Sequence, residues 1–291
     1  MLITNTLSRS LYRQDKVSKL TNSLLATEAE SKTPAFGSEY NNYTHPLTAG
    51  MSVSQAAKLF SSLYISNQKA RMIYGANIVT EDSKITPASV LLIGNKIHSV
   101  WPVIPGFFQY FSKQIEWIDA RGKLLTPGLI DQHNHGGYGT NFNTSGQNEI
   151  KNLLQKLPEH GVTGILSTLI TDTPSNLKLT IERLKPFVQN KLQQATQLLG
   201  VHLEGPYLNE KHKGVHPQEK LLTPPEAVSD FLTPETLPAV KVMTLAPELD
   251  KNNQLTRYLV SQGIRVSAGH SNVGYHEMRE ATHNGITGVT H

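Results

Sequence analysis

The sequence predicts an α/β protein in which most of the chain forms a TIM-type (β/α)8 barrel, incomplete at about six of its eight strands. A small β-sandwich-like domain precedes this barrel. Two observations carry the prediction. Strand-like and helix-like segments alternate from Lys123 onward, which is typical of βαβ units and a parallel sheet. Histidines and a glutamate follow several of the strand-like runs, where a barrel of this type places its functional residues.

The segment before the barrel divides into two parts. Residues 1–68 are rich in Ser, Thr and Asn without a sustained hydrophobic period, which predicts a poorly ordered polar extension. A transit peptide is the weaker alternative, suggested by early basic residues: Arg9, Arg13, Lys16 and Lys19. Residues 69–123 show short strands with a hairpin around Gly94 and Asn95, which predicts the small β domain.

The barrel is predicted to occupy residues 124–291. Its strand-like runs are 124–132, 164–170, 198–203, 240–245, 264–268 and 286–290. Helices are expected between them, with Ser145 and Ser175 as N-caps of the first two and Pro186 ending or bending the second. A closed barrel needs eight strands, so this chain is expected to hold only part of one and to leave apolar edges open.

Composition excludes several classes of protein. The 291 residues are 17% charged and 38% hydrophobic, values of a globular protein with a sizeable core. No apolar run approaches the roughly 18 residues of a membrane span, and no basic stripe interleaved with aromatics indicates nucleic-acid binding. With no cysteine, disulfides and thiolate ligands are excluded. We expect a cytoplasmic protein that binds neither membrane nor nucleic acid.

Strand ends carry the residues that indicate a metal centre. His133 and His135 are two apart, so on a strand both face one side. Taken alone, each such histidine is more often structural, but the repetition at successive strand ends favours ligands of zinc or a similar divalent metal. The candidate ligands are His133, His135, Glu204, His270 and His291. His216 lies in the loop after Glu204 and is placed to reach a substrate.

At these residues the chain resembles the amidohydrolase superfamily, and within it the N-acetylglucosamine-6-phosphate deacetylases. Residues 127–137 carry the superfamily motif, whereas residues 202–209 and 213–217 are similar to the narrower deacetylase signature. Residues 245–248 and 268–272 agree with that signature. The resemblance covers about residues 70–291 and leaves residues 1–68 outside it.

The resemblance implies a metal-dependent hydrolase that converts N-acetyl-D-glucosamine 6-phosphate to glucosamine 6-phosphate and acetate, as a homodimer. It assigns Glu204, His270 and His291 to one metal, and His133 and His135 to a second that Glu204 bridges. His216 would polarise the acetamide carbonyl. Zinc is the first expectation for the one or two ions, with iron, manganese and cobalt as alternatives because His/Glu sets accept all of them.

The chain departs from the family pattern after its last predicted ligand. The family's phosphate-binding Asn-Ala pair and the aspartate that acts as general base and acid are missing from these 291 residues. We therefore expect a C-terminally truncated chain with little or no turnover. Two other readings stay open: another amidohydrolase, such as a cyclic-amide hydrolase or nucleobase deaminase, and a non-catalytic remnant that retains the metal site. The first commonly has a carboxylated lysine where this chain has Glu204.

Overall fold

The structure is a computed structural model, and it describes residues 69–79, 84–102 and 115–291. The chain divides into two compact units, Met1–Pro127 and Gly128–His291. The predicted extension over residues 1–68 lies outside the described residues. No helix in the described ranges is long and apolar enough to cross a bilayer.

The first unit contains one five-stranded sheet. Its strands are β1 (Ala70–Val79), β2 (Ile85–Ile93), β3 (Lys96–Trp101), β4 (Ile115–Asp119) and β5 (Leu124–Leu125). The spatial order is β3-β2-β1-β4, and β5 also pairs with β1. The pairs β1–β2 and β2–β3 are antiparallel, whereas β4 and β5 run parallel to β1. A second layer, which a β-sandwich requires, is not among the described residues, so the sandwich stays a prediction.

The second unit is built around a six-stranded sheet in which every strand pair is parallel. Its spatial order is β13-β12-β11-β10-β9-β6, which is the reverse of the chain order. The strands are β6 (Leu129–Asn134), β9 (Val162–Ile170), β10 (Gln197–Glu204), β11 (Val240–Leu245), β12 (Arg265–Ala268) and β13 (Ile286–Val289). The prediction of about six barrel strands is confirmed for the described residues.

Helices connect the strands of this sheet. They are α1 (Gln147–Lys156), α2 (Pro174–Gln189), α3 (Val228–Phe231), α4 (Gln254–Ser261) and α5 (Tyr275–His283), and a short hairpin of β7 (Gly136–Gly137) and β8 (Thr140–Asn141) follows β6. In α1, apolar side chains recur at the spacing of one helix face, and they are buried: Ile150, Leu153 and Leu154. Together with buried residues of α2 and the strands, they form one hydrophobic core.

Both N-cap predictions were wrong, and so was one alternative for Pro186. Ser145 does not cap α1, because Gly146 is its N-cap and the Ser145 hydroxyl accepts a hydrogen bond from Asn141 N instead. Thr173, not Ser175, caps α2, since Pro174 occupies the first helical position and the Thr173 hydroxyl accepts from Asn176 N. Of the two alternatives for Pro186, ending the helix was wrong, because the helix continues to Gln189, and a bend at Pro186 stays a prediction.

The predicted strand over residues 124–132 is divided between the two units. Leu124 and Leu125 pair with β1, so the break falls between Pro127 and Gly128 and not at residue 124. Although an apolar run of this kind is typical of a buried strand, Leu129 and Ile130 are 62% and 60% exposed. Among the described residues, β6 pairs only with β9, so it is an edge strand with one side uncovered.

Candidate metal centre and active site

The predicted ligands lie at the carboxyl ends of four strands of the second unit. His133 is the second-last residue of β6, and His135 is the first residue after that strand. Glu204 is the last residue of β10. His270 and His291 each come two residues after a strand, β12 and β13 respectively. Because the strands are parallel, these ends lie at one edge of the sheet.

Curling of the sheet brings its first and last strands together at this edge. In a flat sheet, five inter-strand steps of about 4.8 Å would separate β6 from β13 by about 24 Å. The ring centroids of His133 and His291 are nevertheless 5.2 Å apart. The sheet is therefore curved like part of a barrel wall, and the strand ends converge on a common centre.

Glu204 lies at that centre. Its side chain is 2% exposed. Oε1 lies 2.9 Å from Nε2 of His270 and 2.7 Å from Nε2 of His291. Oε2 lies 3.1 Å from Nε2 of His135 and 3.4 Å from Nε2 of His133. The two carboxylate oxygens thus face two different pairs of imidazoles.

Backbone carbonyls fix the orientation of two of these rings. Nδ1 of His135 donates to the carbonyl oxygen of Thr168 at 3.1 Å, and Nδ1 of His270 donates to that of His212 at 2.8 Å. A carbonyl oxygen only accepts, so the proton is on Nδ1 in each ring. In the neutral imidazole, the lone pair is then on Nε2 and points at Glu204. In this tautomer Nε2 is free to bind a metal.

His216 has the opposite tautomer. Its side chain is 1% exposed, and its Nδ1 accepts from the backbone N–H of Thr171 at 3.1 Å and lies 2.8 Å from the Thr171 hydroxyl. A backbone N–H only donates, so Nδ1 carries the lone pair and neutral His216 carries its proton on Nε2. That Nε2 lies 3.6 Å from Glu204 Oε2. His216 therefore presents a hydrogen-bond donor to the site, whereas His135 and His270 present acceptors.

The surroundings shift the pKa values of two residues of the site. Burial would raise the pKa of the Glu204 carboxyl, but hydrogen bonds with four imidazoles outweigh burial and hold this pKa far below its ordinary value. The four imidazoles are those of His133, His135, His216 and His270. The hydrogen bond with Glu204 raises the pKa of His135, against the opposing effect of burial. Glu204 is consequently an anion surrounded by nitrogen ligands.

These residues fit a divalent metal. The ligand atoms of His133, Glu204 and His291 all lie within 4.8 Å of one another, as do those of Glu204, His216 and His270. Imidazole lone pairs and carboxylate oxygens that face each other at about 3 Å repel unless a proton or a cation lies between them. The donor set is that of zinc and other borderline metals. Neutral His216 carries its proton on Nε2, so in this tautomer it offers no lone pair toward Glu204.

A layer of buried polar side chains lies beside the centre and was not predicted. His202 donates from Nδ1 to the carbonyl of Gln132 at 3.0 Å, and its Nε2 lies 2.7 Å from the hydroxyl of Thr244. That hydroxyl is 2.9 Å from the Thr290 hydroxyl. Burial lowers the pKa of His202 to about 4, so this ring is neutral at physiological pH. His202 links β6, β10 and β11 just beneath the predicted ligands.

The structure brings together all six residues that the sequence singled out for the site. The sequence did not identify the groups that orient them, namely Thr168, Thr171 and the carbonyl of His212, because nothing in a strand or loop pattern predicts a contact with a ring nitrogen. Asp131, in the same strand as His133, accepts from His133 N at 3.2 Å and from Asn134 Nδ2 at 2.8 Å.

Comparison with known proteins identifies relatives of this chain. No family model matches it. The N-acetylglucosamine-6-phosphate deacetylase of Danio rerio is 36% identical over 179 residues, 60% of this chain and 44% of the relative. The proteins of that name from Rattus norvegicus and Bacillus subtilis are each 30% identical, over 246 and 216 residues. These matches cover 83% and 74% of this chain, and 57% and 54% of the relatives.

Solved structures agree with these sequence matches. The N-acetylglucosamine-6-phosphate deacetylase of Pasteurella multocida superimposes with a TM-score of 0.67 at 28% identity, covering 76% of this chain and 56% of that one. The Thermotoga maritima protein of the same name gives 0.61 at 26%, covering 76% and 54%. The matched part of this chain is therefore homologous to N-acetylglucosamine-6-phosphate deacetylases, and the chain spans about half the length of those relatives.

Proposed function

We propose that this protein is a metal-dependent deacetylase that hydrolyses the acetamide of N-acetyl-D-glucosamine 6-phosphate to glucosamine 6-phosphate and acetate. The observation that carries the proposal is the buried Glu204 carboxylate, with the Nε2 atoms of four histidines within 3.4 Å of it. The name shared by the relatives supports the choice of substrate and reaction.

Two sets of ligands follow from the way the carboxylate faces its neighbours. Oε1 with His270 and His291 would hold one cation, and Oε2 with His133 and His135 would hold a second, so that Glu204 bridges them. A divalent cation bound there would polarise the amide carbonyl and lower the pKa of a water molecule toward neutrality. Zinc fits this donor set, and iron, manganese and cobalt fit it as well.

His216 would act on the substrate carbonyl. Its Nε2–H is fixed as a donor by the Thr171 contact at Nδ1, and complete burial of the ring holds it in that orientation. A donor of this kind stabilises the negative charge that develops on a carbonyl oxygen during hydrolysis of an amide. We therefore assign His216 to the acetamide oxygen and not to a metal.

A phosphorylated amino sugar is the proposed ligand. A structural neighbour from Mycobacterium smegmatis, which supports the fold at a TM-score of 0.65 and 24% identity, was solved with N-acetyl-D-glucosamine 6-phosphate. The assignment to this chain follows from the relatives' shared name together with the metal-ligand geometry. The homodimer and the cytoplasmic location stay predictions.

The test is acetate release from N-acetylglucosamine 6-phosphate by the Zn²⁺-loaded protein, compared with turnover of a cyclic amide such as dihydroorotate. Calorimetric binding of the sugar phosphate is measured in parallel, because the sequence predicts little or no turnover for this chain. His216→Gln, whose amide can still donate, is expected to retain more of either signal than His216→Phe, which cannot. Absence of both binding and acetate release, or turnover of the cyclic amide alone, would contradict the proposal.

A further inference from the structure

Glu248 joins the loops that follow two ligand-bearing strands. It lies in the turn directly after β11, between the ends of β10 and β12. Its Oε1 accepts from Nδ2 of Asn209 at 2.8 Å and from the backbone N–H of Asn272 at 2.6 Å. Its Oε2 accepts from the Ser271 hydroxyl at 2.5 Å. One carboxylate thus connects the segment after Glu204 to the two residues that follow His270.

The backbone of His270 needs support from its surroundings. Its φ is +51°, in the left-handed region that side-chain-bearing residues adopt only at a cost. Its carbonyl accepts from Asn209 N at 2.9 Å, so the same asparagine that contacts Glu248 also holds this peptide. The conformation that directs Nε2 of His270 toward Glu204 therefore depends on residues outside the ligand set.

The hydrogen bonds of Glu248 are strong ones. Burial would raise the pKa of its carboxyl, but the bonds from Ser271, Asn272 and Asn209 outweigh burial and lower the pKa. Glu248 is therefore ionised at neutral pH, and its three bonds are charge-assisted, shorter and stronger than neutral ones.

We propose that Glu248 is a positioning residue of the metal centre: its carboxylate fixes the turn after His270 and, through Asn209, the segment after Glu204, and so holds His270 Nε2 at Glu204 Oε1. This inference rests on the proposed metal site. The side-chain hydrogen bonds of Glu248 go to Asn209, Ser271 and Asn272, and none of these residues is a predicted ligand, so Glu248 would act through the loops that it joins.

Asp250 provides a matched control from the same turn. It is 4% exposed, and its two oxygens accept from the backbone N–H groups of Leu255 at 3.0 Å and Thr256 at 2.8 Å. These bonds hold the start of α4 and lead away from the candidate site. Removing either carboxylate should destabilise the fold, but only Glu248 connects to the ligand-bearing loops.

The experiment compares wild type, Glu248→Ala, Glu248→Gln and Asp250→Ala by Zn²⁺ competition against a chromophoric chelator. The visible absorption spectrum of the Co²⁺-loaded protein reports ligand geometry. We expect Glu248→Ala to bind Zn²⁺ about tenfold more weakly and to shift the Co²⁺ bands, as do changes to groups that orient metal ligands. Glu248→Gln, which keeps the acceptor at Oε1, should lose less. Asp250→Ala should lower the melting temperature with unchanged affinity and spectrum.

Each outcome decides between the proposals. Wild-type affinity in Glu248→Ala, or an equal loss in Asp250→Ala, would overturn the positioning role while leaving the metal site intact. If Glu248→Ala does not fold, Glu248→Gln carries the test, and unchanged affinity and Co²⁺ bands in that variant would overturn the role. Failure of the wild-type protein to bind Zn²⁺ would instead refute the proposed function on which the inference rests.

Discussion

Replacement of Glu204 by glutamine is the most direct test of the candidate metal centre. The substitution keeps the shape of the side chain but removes the carboxylate at the centre of the cluster of imidazoles, whose Oε1 lies 2.7 Å from His291 Nε2 and 2.9 Å from His270 Nε2. Both proposed ion positions use this carboxylate, so a single substitution affects both. We expect the stabilisation of the fold by metal to be largely lost.

The expected magnitude follows from binding linkage. At free Zn²⁺ about 100 times the dissociation constant, the wild-type free energy of unfolding should rise by about 2.7 kcal/mol. For a domain of this size, that rise corresponds to about 5–11 °C in melting temperature. Loss of the Glu204 carboxylate, a proposed ligand, should weaken binding by about 100-fold, the upper end of the effect of changing groups that orient metal ligands. In Glu204→Gln, the same Zn²⁺ concentration would then raise the free energy of unfolding by only about 0.4 kcal/mol, or the melting temperature by about 1–2 °C.

The assay is thermal unfolding followed by circular dichroism, first after chelator treatment and then with added Zn²⁺. Glu219→Gln serves as the control, because Glu219 is an exposed carboxylate outside the cluster. It should show the wild-type rise. A full wild-type rise in Glu204→Gln would refute the reasoning, since the ion would then bind elsewhere.

Two further predictions concern stability. Gly136→Ala should lower the free energy of unfolding by several kcal/mol, because φ is +141° and the new Cβ would lie 2.0 Å from the carbonyl oxygen of Thr140. Gly139→Ala, with φ +78° but no atom within 4 Å of the new Cβ, should lower it by about 1–3 kcal/mol. Equal urea midpoints for the two variants would contradict this difference. Burial would raise the pKa of Asp172, but its bonds to Lys220 and neighbours lower it below 3.8, so the folded state binds fewer protons than the unfolded state. The contribution of Asp172 to the free energy of unfolding is present above about pH 4 and is lost as pH falls through the lower folded pKa. In Asp172→Asn, the free energy of unfolding from urea titrations should therefore fall less steeply between about pH 5 and 3 than in the wild type.

Much of the candidate site was predictable because strand ends in a parallel sheet share one edge. His133, Glu204 and His270 each follow an apolar run, and the alternation of strands with helices placed those runs side by side in one sheet. The resemblance to N-acetylglucosamine-6-phosphate deacetylases was confirmed by the comparisons with known proteins. The metal-ligand roles of the individual residues remain predictions that the substitution of Glu204 can test.

Local errors arose where neighbouring residues compete for one structural position. Ser175 has the side chain of an N-cap, but Pro174 is suited to the first helical position, which moves the cap to Thr173. Leu129 and Ile130 are apolar enough for a buried strand, yet their strand lies at the edge of its sheet. Apolar character alone does not distinguish an edge strand from a central one.

By itself, the sequence determined which residue types reach the centre: the histidines and the glutamate follow from strand periodicity and the position of each strand end. Only the tertiary structure decided what each ring presents there. The contacts that fix the tautomers join residues 33, 58 and 45 positions apart, at His135, His270 and His216. The physical reason is that a ring nitrogen takes its proton according to the group opposite it. That group is set by the curvature of the sheet and the path of the loops, which no local pattern encodes.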